Sequence, residues 1–319
     1  MRMDEDLIDP GVFPFDDLSR GVTRGSVIET IVEKITGLTS REIKDSVAVE
    51  EPLEIQLGYG PADSRQAKSI SVTMRTPGND FELAAGFLMT EGVVRDANDI
   101  EQIAYASGQN TEQSTIATVR SKENTVRVEL ATNVTVSIAN LQRNFYTTSS
   151  CGICGKASLL ALQTVCPPRA ENSFRIDANV LYRLPVYLRE AQGVFDRTGG
   201  LHGVGLFDAG GHLFAVREDV GRHNAVDKLL GSEFLADRTP LRNSLLLLSG
   251  RASFELLQKA IMGGVPMVAS VGAPSSLAVQ VARKFDIILI GFLRDDHFNI
   301  YHGREHIHGY ISASTGADE

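Results

Sequence analysis

The chain contains no tryptophan, only three cysteines and 7% aromatic residues, and it has no long run of apolar side chains. Each scarcity excludes something. Three is a small and odd number of cysteines for a disulfide scaffold, so a reducing compartment is the default. The most apolar stretch, Leu245 to Leu248, falls far short of the ~20 residues of a membrane span. The opening residues, MRMDEDLIDPGVFPFDD, are acidic and carry no continuous apolar segment, which argues against a secretory signal. A cytoplasmic protein with no membrane partner is expected. Positive charge is also in deficit, with 31 basic residues against 40 acidic and a formal charge of −9. A general nucleic-acid binder needs a cationic face, so no nucleic-acid partner is expected.

What is present is an ordinary globular composition, 43% apolar and 22% charged over 319 residues. At roughly 150 residues per domain the length suggests two domains. Residues 1–45 include Pro10, Gly11 and Pro14 and read as a loosely structured N-terminal extension. Within it, residues 27–35 fit an edge strand and a short helix equally well. Residues 46–145 read as a small α+β domain. Residues 47–57 and 70–75 alternate like strands, and Thr76-Pro77-Gly78-Asn79 is a turn cluster. Asp80 is placed to cap a helix that carries Leu83, Ala84, Phe87 and Leu88 and ends near Gly92. Residues 114–120 and 125–131 predict a hairpin.

Residues 146–319 follow a different pattern. Segments 203–208 and 212–218 flank Ala209-Gly210-Gly211, a hairpin turn. A helix is predicted over 222–235. Strands at 244–248, 266–271 and 286–293 then alternate with helices at 253–262 and 275–284, the order of a parallel sheet with helical crossovers. The apolar strands fit a sheet covered on both faces. The fold class expected is α/β, with a larger domain of this kind and a smaller α+β domain before it.

Ligands of open parallel sheets bind beyond the carboxyl ends of the strands. Three segments leave those ends: Ser249-Gly250-Arg251-Ala252-Ser253, Gly272-Ala273-Pro274-Ser275-Ser276 and Arg294-Asp295-Asp296-His297. The first two run into helix starts, where backbone N–H groups and hydroxyls can face an anion. Arg251 and Arg294 can add charge-assisted contacts to phosphate. The plainer reading makes the same glycines and serines caps and turns. His202 and His223 can line this cleft or serve as structural histidines. The later histidines, 297, 302, 306 and 308, match no zinc spacing and are expected at the surface.

The sharpest local signal is Ser149-Ser150-Cys151-Gly152-Ile153-Cys154-Gly155-Lys156. A thiol just before a helix start, with a lysine nearby, is biased toward thiolate from its free pKa of about 8.5. Structural zinc wants four ligands, and only Cys166 remains, followed by Pro167-Pro168. A dithiol oxidoreductase would expect a strand before the motif, where the polar QRNFYTTSS stands. A sulfur carrier, in which a thiolate takes sulfur from a donor persulfide, needs neither. Inert thiols are the blandest option.

Taken together, the motifs MRTPGNDFELAAGFLMTEG (74–92), SSCGICGKASL (149–159), GGLHGVGLF (199–207), REDVGRHNAVDKLLG (217–231), LSGRASFELLQKA (248–260), VGAPSSLAV (271–279) and GFLRDDHFNIY (291–301) resemble the formate dehydrogenase accessory sulfurtransferases, the FdhD family. The resemblance spans about residues 47–303. It implies a sulfurtransferase that accepts persulfide sulfur from a cysteine desulfurase. The sulfur then passes to the molybdenum (or tungsten) bis-guanine-dinucleotide cofactor, the cargo, before that cofactor enters formate dehydrogenase. It places the persulfide cysteine on Cys151 with Cys154 as partner. The cofactor-binding segment falls on Phe292, Leu293, Arg294, Asp295, Asp296 and His297. The loops holding Ser249, Gly250, Arg251, Gly272 and Ser275, with His202, would complete that cleft. It also implies a homodimer and a cytidine-deaminase-like larger domain over 146–319. Working deaminases hold zinc through a His/Cys-x-Glu and a Pro-Cys-x-x-Cys. Here those places read Arg222-His223-Asn224 and Ser249-Gly250-Arg251-Ala252-Ser253, so no metal site and no zinc are expected. The alternative function is a non-catalytic chaperone of the guanine-dinucleotide cofactor, with a merely protective CxxC.

Overall fold

The computed structural model describes residues 25–106, 124–134, 166 and 171–311. Its strands are β1 (Val27–Thr36), β2 (Thr39–Ala48), β3 (Glu51–Tyr59), β4 (Gln66–Arg75), β5 (Ile100–Tyr105), β6 (Thr125–Leu130), β7 (Ile176–Asp177), β8 (His202–Phe207), β9 (Leu213–Asp219), β10 (Leu245–Leu248), β11 (Met267–Ser270), β12 (Ile288–Gly291), β13 (Asn299–His302) and β14 (Ile307–His308). Its α-helices are α1 (Asp80–Thr90), α2 (Ala178–Leu181), α3 (Leu184–Ala191), α4 (Gly193–Thr198), α5 (Arg222–Leu235), α6 (Phe254–Met262) and α7 (Ser276–Phe285). None of these helices is long and apolar enough to cross a membrane.

Two sheets organise the molecule. The first has the order β4-β3-β6-β5, with β3 and β6 parallel and the outer pairs antiparallel. The second has the order β13-β12-β11-β10-β8-β9. Its centre, β10, β11 and β12, is parallel, and β8, β9 and β13 run antiparallel to their neighbours. Alternation along β10 decides the layers. Leu246 and Leu248 face a core built with α1, α5, α6, α7 and the first sheet. Leu245 and Leu247 face a second core with Leu181, Leu184 and Leu188 of α2 and α3. The second sheet is thus a mixed sheet covered by helices on both faces. The boundary expected near residue 145 lies outside the described residues, and one continuous core joins the described residues on either side of it.

The two sheets meet through helices α1 and α5. Their backbones touch at a pair of glycines. A Cβ on Gly86 would stand 1.9 Å from the Asp227 carbonyl oxygen, and one on Gly231 1.9 Å from that of Glu82. The predicted turn after β4 fastens the same junction. The Thr76 amide donates to Asp219 at 3.1 Å, Lys228 donates to the Thr76 carbonyl at 2.8 Å, and Asn224 donates to the Met74 carbonyl at 2.7 Å.

Three expectations need correction. Residues 27–45 are not loose: β1 and β2 pair in register from Val27–Ala48 to Thr36–Thr39. Gly37 takes φ 61 at the first position of the two-residue turn, as II′ hairpins require. Asp80 does not cap α1. Asn79 occupies that position in the left-handed region, and the Asp80 carboxylate instead grips buried Arg75 at 3.0 and 2.9 Å. Of the hairpin predicted over 114–131, the second strand is β6, but it pairs with β3 and β5. The first strand lies outside the described residues.

Candidate functional site

The loops that leave β10, β11 and β12 are laced into one surface. The Gly272 amide donates to the Gly250 carbonyl at 2.8 Å, and that of Phe292 to the Gly272 carbonyl at 3.0 Å. The Ala252 amide bonds the Ala273 carbonyl at 3.2 Å, and Ser275 returns a bond to the Ala252 carbonyl at 2.9 Å. The lacing leaves no room for a side chain at position 272, where a Cβ would come 2.9 Å from the Gly250 carbonyl oxygen. Strand β8 joins from the other side. The Gly203 amide donates to Ser249 Oγ at 2.8 Å, which fixes His202 beside Gly250.

The expected loop residues and His202 therefore do come together, but not in equal roles. Arg251, Asp295, Asp296 and His297 are exposed along the rim. Arg294 is also exposed, yet its Nη1 donates to the Val271 and Leu293 carbonyls at 2.6 and 2.9 Å, so part of its guanidinium holds the loop in shape. Phe292 adopts φ 54 and is 38% exposed. A bulky residue in the left-handed region is an outlier that its surroundings must impose. Leu293 is the exception among the expected contacts: it is fully buried in the second core and cannot line a cleft. Ser275 is a cap, its hydroxyl accepting from the Ala278 amide at 3.1 Å, and Ser249 Oγ is occupied by Gly203. For these two serines the plainer reading holds. The N-termini of α5 and α6, at Gly221 and Ser253, have no side-chain cap from the N-cap residue, and such helix starts suit anions.

Reasoning from spacing missed Arg222. Burial lowers the pKa of His202, and the Arg222 charge lowers it further. His223 is driven further, to about 4, by burial and then by Arg222 and Lys259. Both imidazoles are therefore neutral near pH 7. The Nε2 of His223 is buried without a hydrogen-bond partner, 4.0 Å from Glu255 Oε2. It borders a cavity of about 490 Å³, whose wall includes Thr73, Phe87, Glu91, Glu255 and Lys259. His202 precedes Arg222 by twenty residues, so only the fold reveals that this charge acts on it.

Cys151 and Cys154 lie outside the described residues. Cys166 packs half-buried against the main core, a poor place for a sulfur that must be handed on.

Fold and loops define an α/β protein whose candidate site sits beyond the carboxyl ends of parallel strands, where such sheets hold ligands. The model of the FdhD/NarQ family matches residues 48–308, and the chain belongs to that family. Similar proteins include the sulfur carrier protein FdhD of Streptomyces avermitilis, 47% identical over 85% of this chain and 92% of its own length. That of Mycobacterium tuberculosis is 50% identical over 81% and 90%, and that of Saccharolobus solfataricus 37% identical over 84% and 94%. Among solved structures, one described as a formate dehydrogenase accessory protein from Desulfotalea psychrophila shares the fold, with a TM-score of 0.66 at 23% identity, covering 88% of this chain and 99% of that one.

Proposed function

We propose that the protein is a cytoplasmic sulfur carrier for formate dehydrogenase maturation, with Cys151 as the carrying thiol. The Cys151 thiolate attacks the outer sulfur of a cysteine desulfurase persulfide. That S–S bond breaks, the desulfurase leaves as its thiolate, and Cys151 becomes Cys–S–SH. Two routes lead onward. Cys154 takes the outer sulfur as its own persulfide, or it attacks the inner sulfur, expelling hydrosulfide and leaving a disulfide that a cellular thiol must reopen. The receiver is the molybdenum (or tungsten) bis-guanine-dinucleotide cofactor, bound as cargo in the loop cluster. Uncapped helix starts and Arg251 and Arg294 suit its phosphates. The Asp295 and Asp296 carboxylates suit the N–H edge of guanine, and exposed Phe292 offers a face for stacking. The larger half of the fold supports a deaminase-like reading, because an antiparallel pair, β8 and β9, precedes helix α5 and the β10-α6-β11-α7-β12 run.

The observation that carries the proposal is a CxxC in the same chain as this cluster of strand-end loops, in a family whose similar members are named sulfur carriers. The discriminating experiment is complementation of a host lacking its own copy. Cys151→Ala is expected to leave formate dehydrogenase activity below about 1% of wild type, since the first acceptance of sulfur is a covalent step that this thiol performs. Activity restored by the Cys151→Ala/Cys154→Ala double variant would instead identify a cofactor chaperone with protective thiols.

A further inference from the structure

At the opposite end of the second sheet, where β12 begins and β13 ends, a second cluster of ligating side chains has assembled. Asp286 follows α7, and Glu305 and His306 sit in a single 3₁₀ turn between β13 and β14. One ligand atom from each lies within 4.8 Å of the other two. The sequence expectation put His306 at the surface, but it is only 4% exposed.

The imidazole is oriented from behind. Its Nδ1 bonds the Phe174 carbonyl at 2.9 Å. Arg175 Nη1 also contacts Nδ1 closely, but it spends its own N–H groups on the Asn172 and Phe174 carbonyls at 3.3 and 2.9 Å. Nδ1 is therefore taken up by these contacts, and Nε2 is the nitrogen that faces Glu305 Oε1, at 3.4 Å. One ring nitrogen held by a backbone carbonyl, with the other turned toward carboxylates, is the usual outer-shell arrangement of a metal-bound histidine.

We propose that Asp286, Glu305 and His306 bind one divalent transition-metal ion of the zinc type. An imidazole and two carboxylates are suitable N/O ligands for it. Bonds of about 2.0–2.2 Å place neighbouring ligand atoms roughly 3.3 Å apart in a tetrahedron. The His306–Glu305 pair already has that spacing. Asp286 and Glu305 are exposed and need only side-chain rotation to close. His302 Nε2, 3.2 Å from Asp286 Oδ1, stands ready as a fourth ligand or as outer-shell support for Asp286. The two carboxylates and Arg175 sum to −1, so a divalent ion is not repelled. The ion would fasten the C-terminal strands, because His306 adjoins β14, and β14 pairs with β7 behind Phe174 and Arg175. This cluster lies at the opposite end of the second sheet from the candidate loop cluster and does not depend on the function proposed for it.

The test uses the full chain with Cys151→Ser, Cys154→Ser and Cys166→Ser, to remove competing thiols. Zinc affinity is measured by chelator competition, and cobalt(II) substitution by absorption. One equivalent should bind, with cobalt d–d bands. Loss of outer-shell support alone weakens such sites about 10–100-fold, so Asp286→Asn and Glu305→Gln, both at exposed positions, should each weaken zinc by at least tenfold. Saturating zinc should also raise the melting temperature of the parent and not of these variants. No stoichiometric binding, or unchanged affinity in both variants, would each overturn the proposal.

Discussion

Gly231→Ala is expected to destabilise the protein by about 3 kcal/mol, although alanine is normally the better helix former. In an ordinary helix interior this replacement gains roughly 0.5–1 kcal/mol. Here the added methyl would stand 1.9 Å from the Glu82 carbonyl oxygen and 2.7 Å from the Gly86 amide nitrogen. Both are backbone atoms inside a hydrogen-bonded helix, so neither can swing away. Helices α1 and α5 must then separate, opening the core that both help to build. Forcing extra methyl groups into packed cores costs typically about 1–3 kcal/mol and sometimes more, and this overlap belongs at the upper end. Gly86→Ala should behave alike, for the same reason on the facing helix. Gly200→Ala is the control, because a Cβ there meets its nearest atom at an ordinary 3.6 Å. Urea unfolding decides: a lowered midpoint for the first two and an unchanged one for the control. An unchanged or raised midpoint for Gly231→Ala would mean that the helices do not touch there.

The same junction holds a buried charge cluster, and Asp227→Ala is expected to cost about 3 kcal/mol. Asp227 of α5 meets Lys259 of α6 at 2.9 Å, with side chains only 2% and 7% exposed. Thr90 of α1 donates to Asp227 at 2.8 Å and accepts from Lys259 at 3.0 Å. Burial pushes the Asp227 carboxyl up. Burial works against the Lys259 ammonium too, but Asp227 and then Glu91 outweigh it and hold its pKa above the ordinary value. Removing one partner of a buried pair strands the other charge, at about 3–5 kcal/mol. Glu91 at 3.6 Å softens the loss toward the lower figure. The double variant Asp227→Leu/Lys259→Met strands nothing and should recover most of the stability, since apolar replacement of whole pairs is often neutral. A double variant no better than the single one would assign the loss to packing instead of charge.

How far the sequence foretold the structure depended on the range of the interaction. Helix α5 was legible to the residue, and the β10-α6-β11-α7-β12 run nearly so, because periodicity and caps are local. The segment that became β1 was not. Its apolar residues, Val27, Ile28, Ile31, Val32 and Ile35, recur at helical spacing, and only pairing with β2 through the Gly37 turn settles the strand. Asp80 looked like a cap because caps are read from neighbours, whereas buried Arg75 captured its carboxylate. The loop cluster was legible in position, since ligands gather where parallel strands end. Which members face outward was not. Leu293 and Phe292 are adjacent, yet a left-handed backbone at Phe292 sends one outward and the other into the core. His306 gave no signal because its ligating neighbour Asp286 is twenty residues away.

The central claim, that Cys151 carries the sulfur, is tested most directly by intact mass after incubation with a cysteine desulfurase and free cysteine. An added sulfur weighs about 32 Da, and the persulfide it forms is removed by a thiol reductant. The account predicts that this increment appears on the wild-type chain, disappears on reduction and is missing from Cys151→Ala. The same increment on Cys151→Ala, or none on the wild-type chain when the desulfurase is itself loaded, would contradict it.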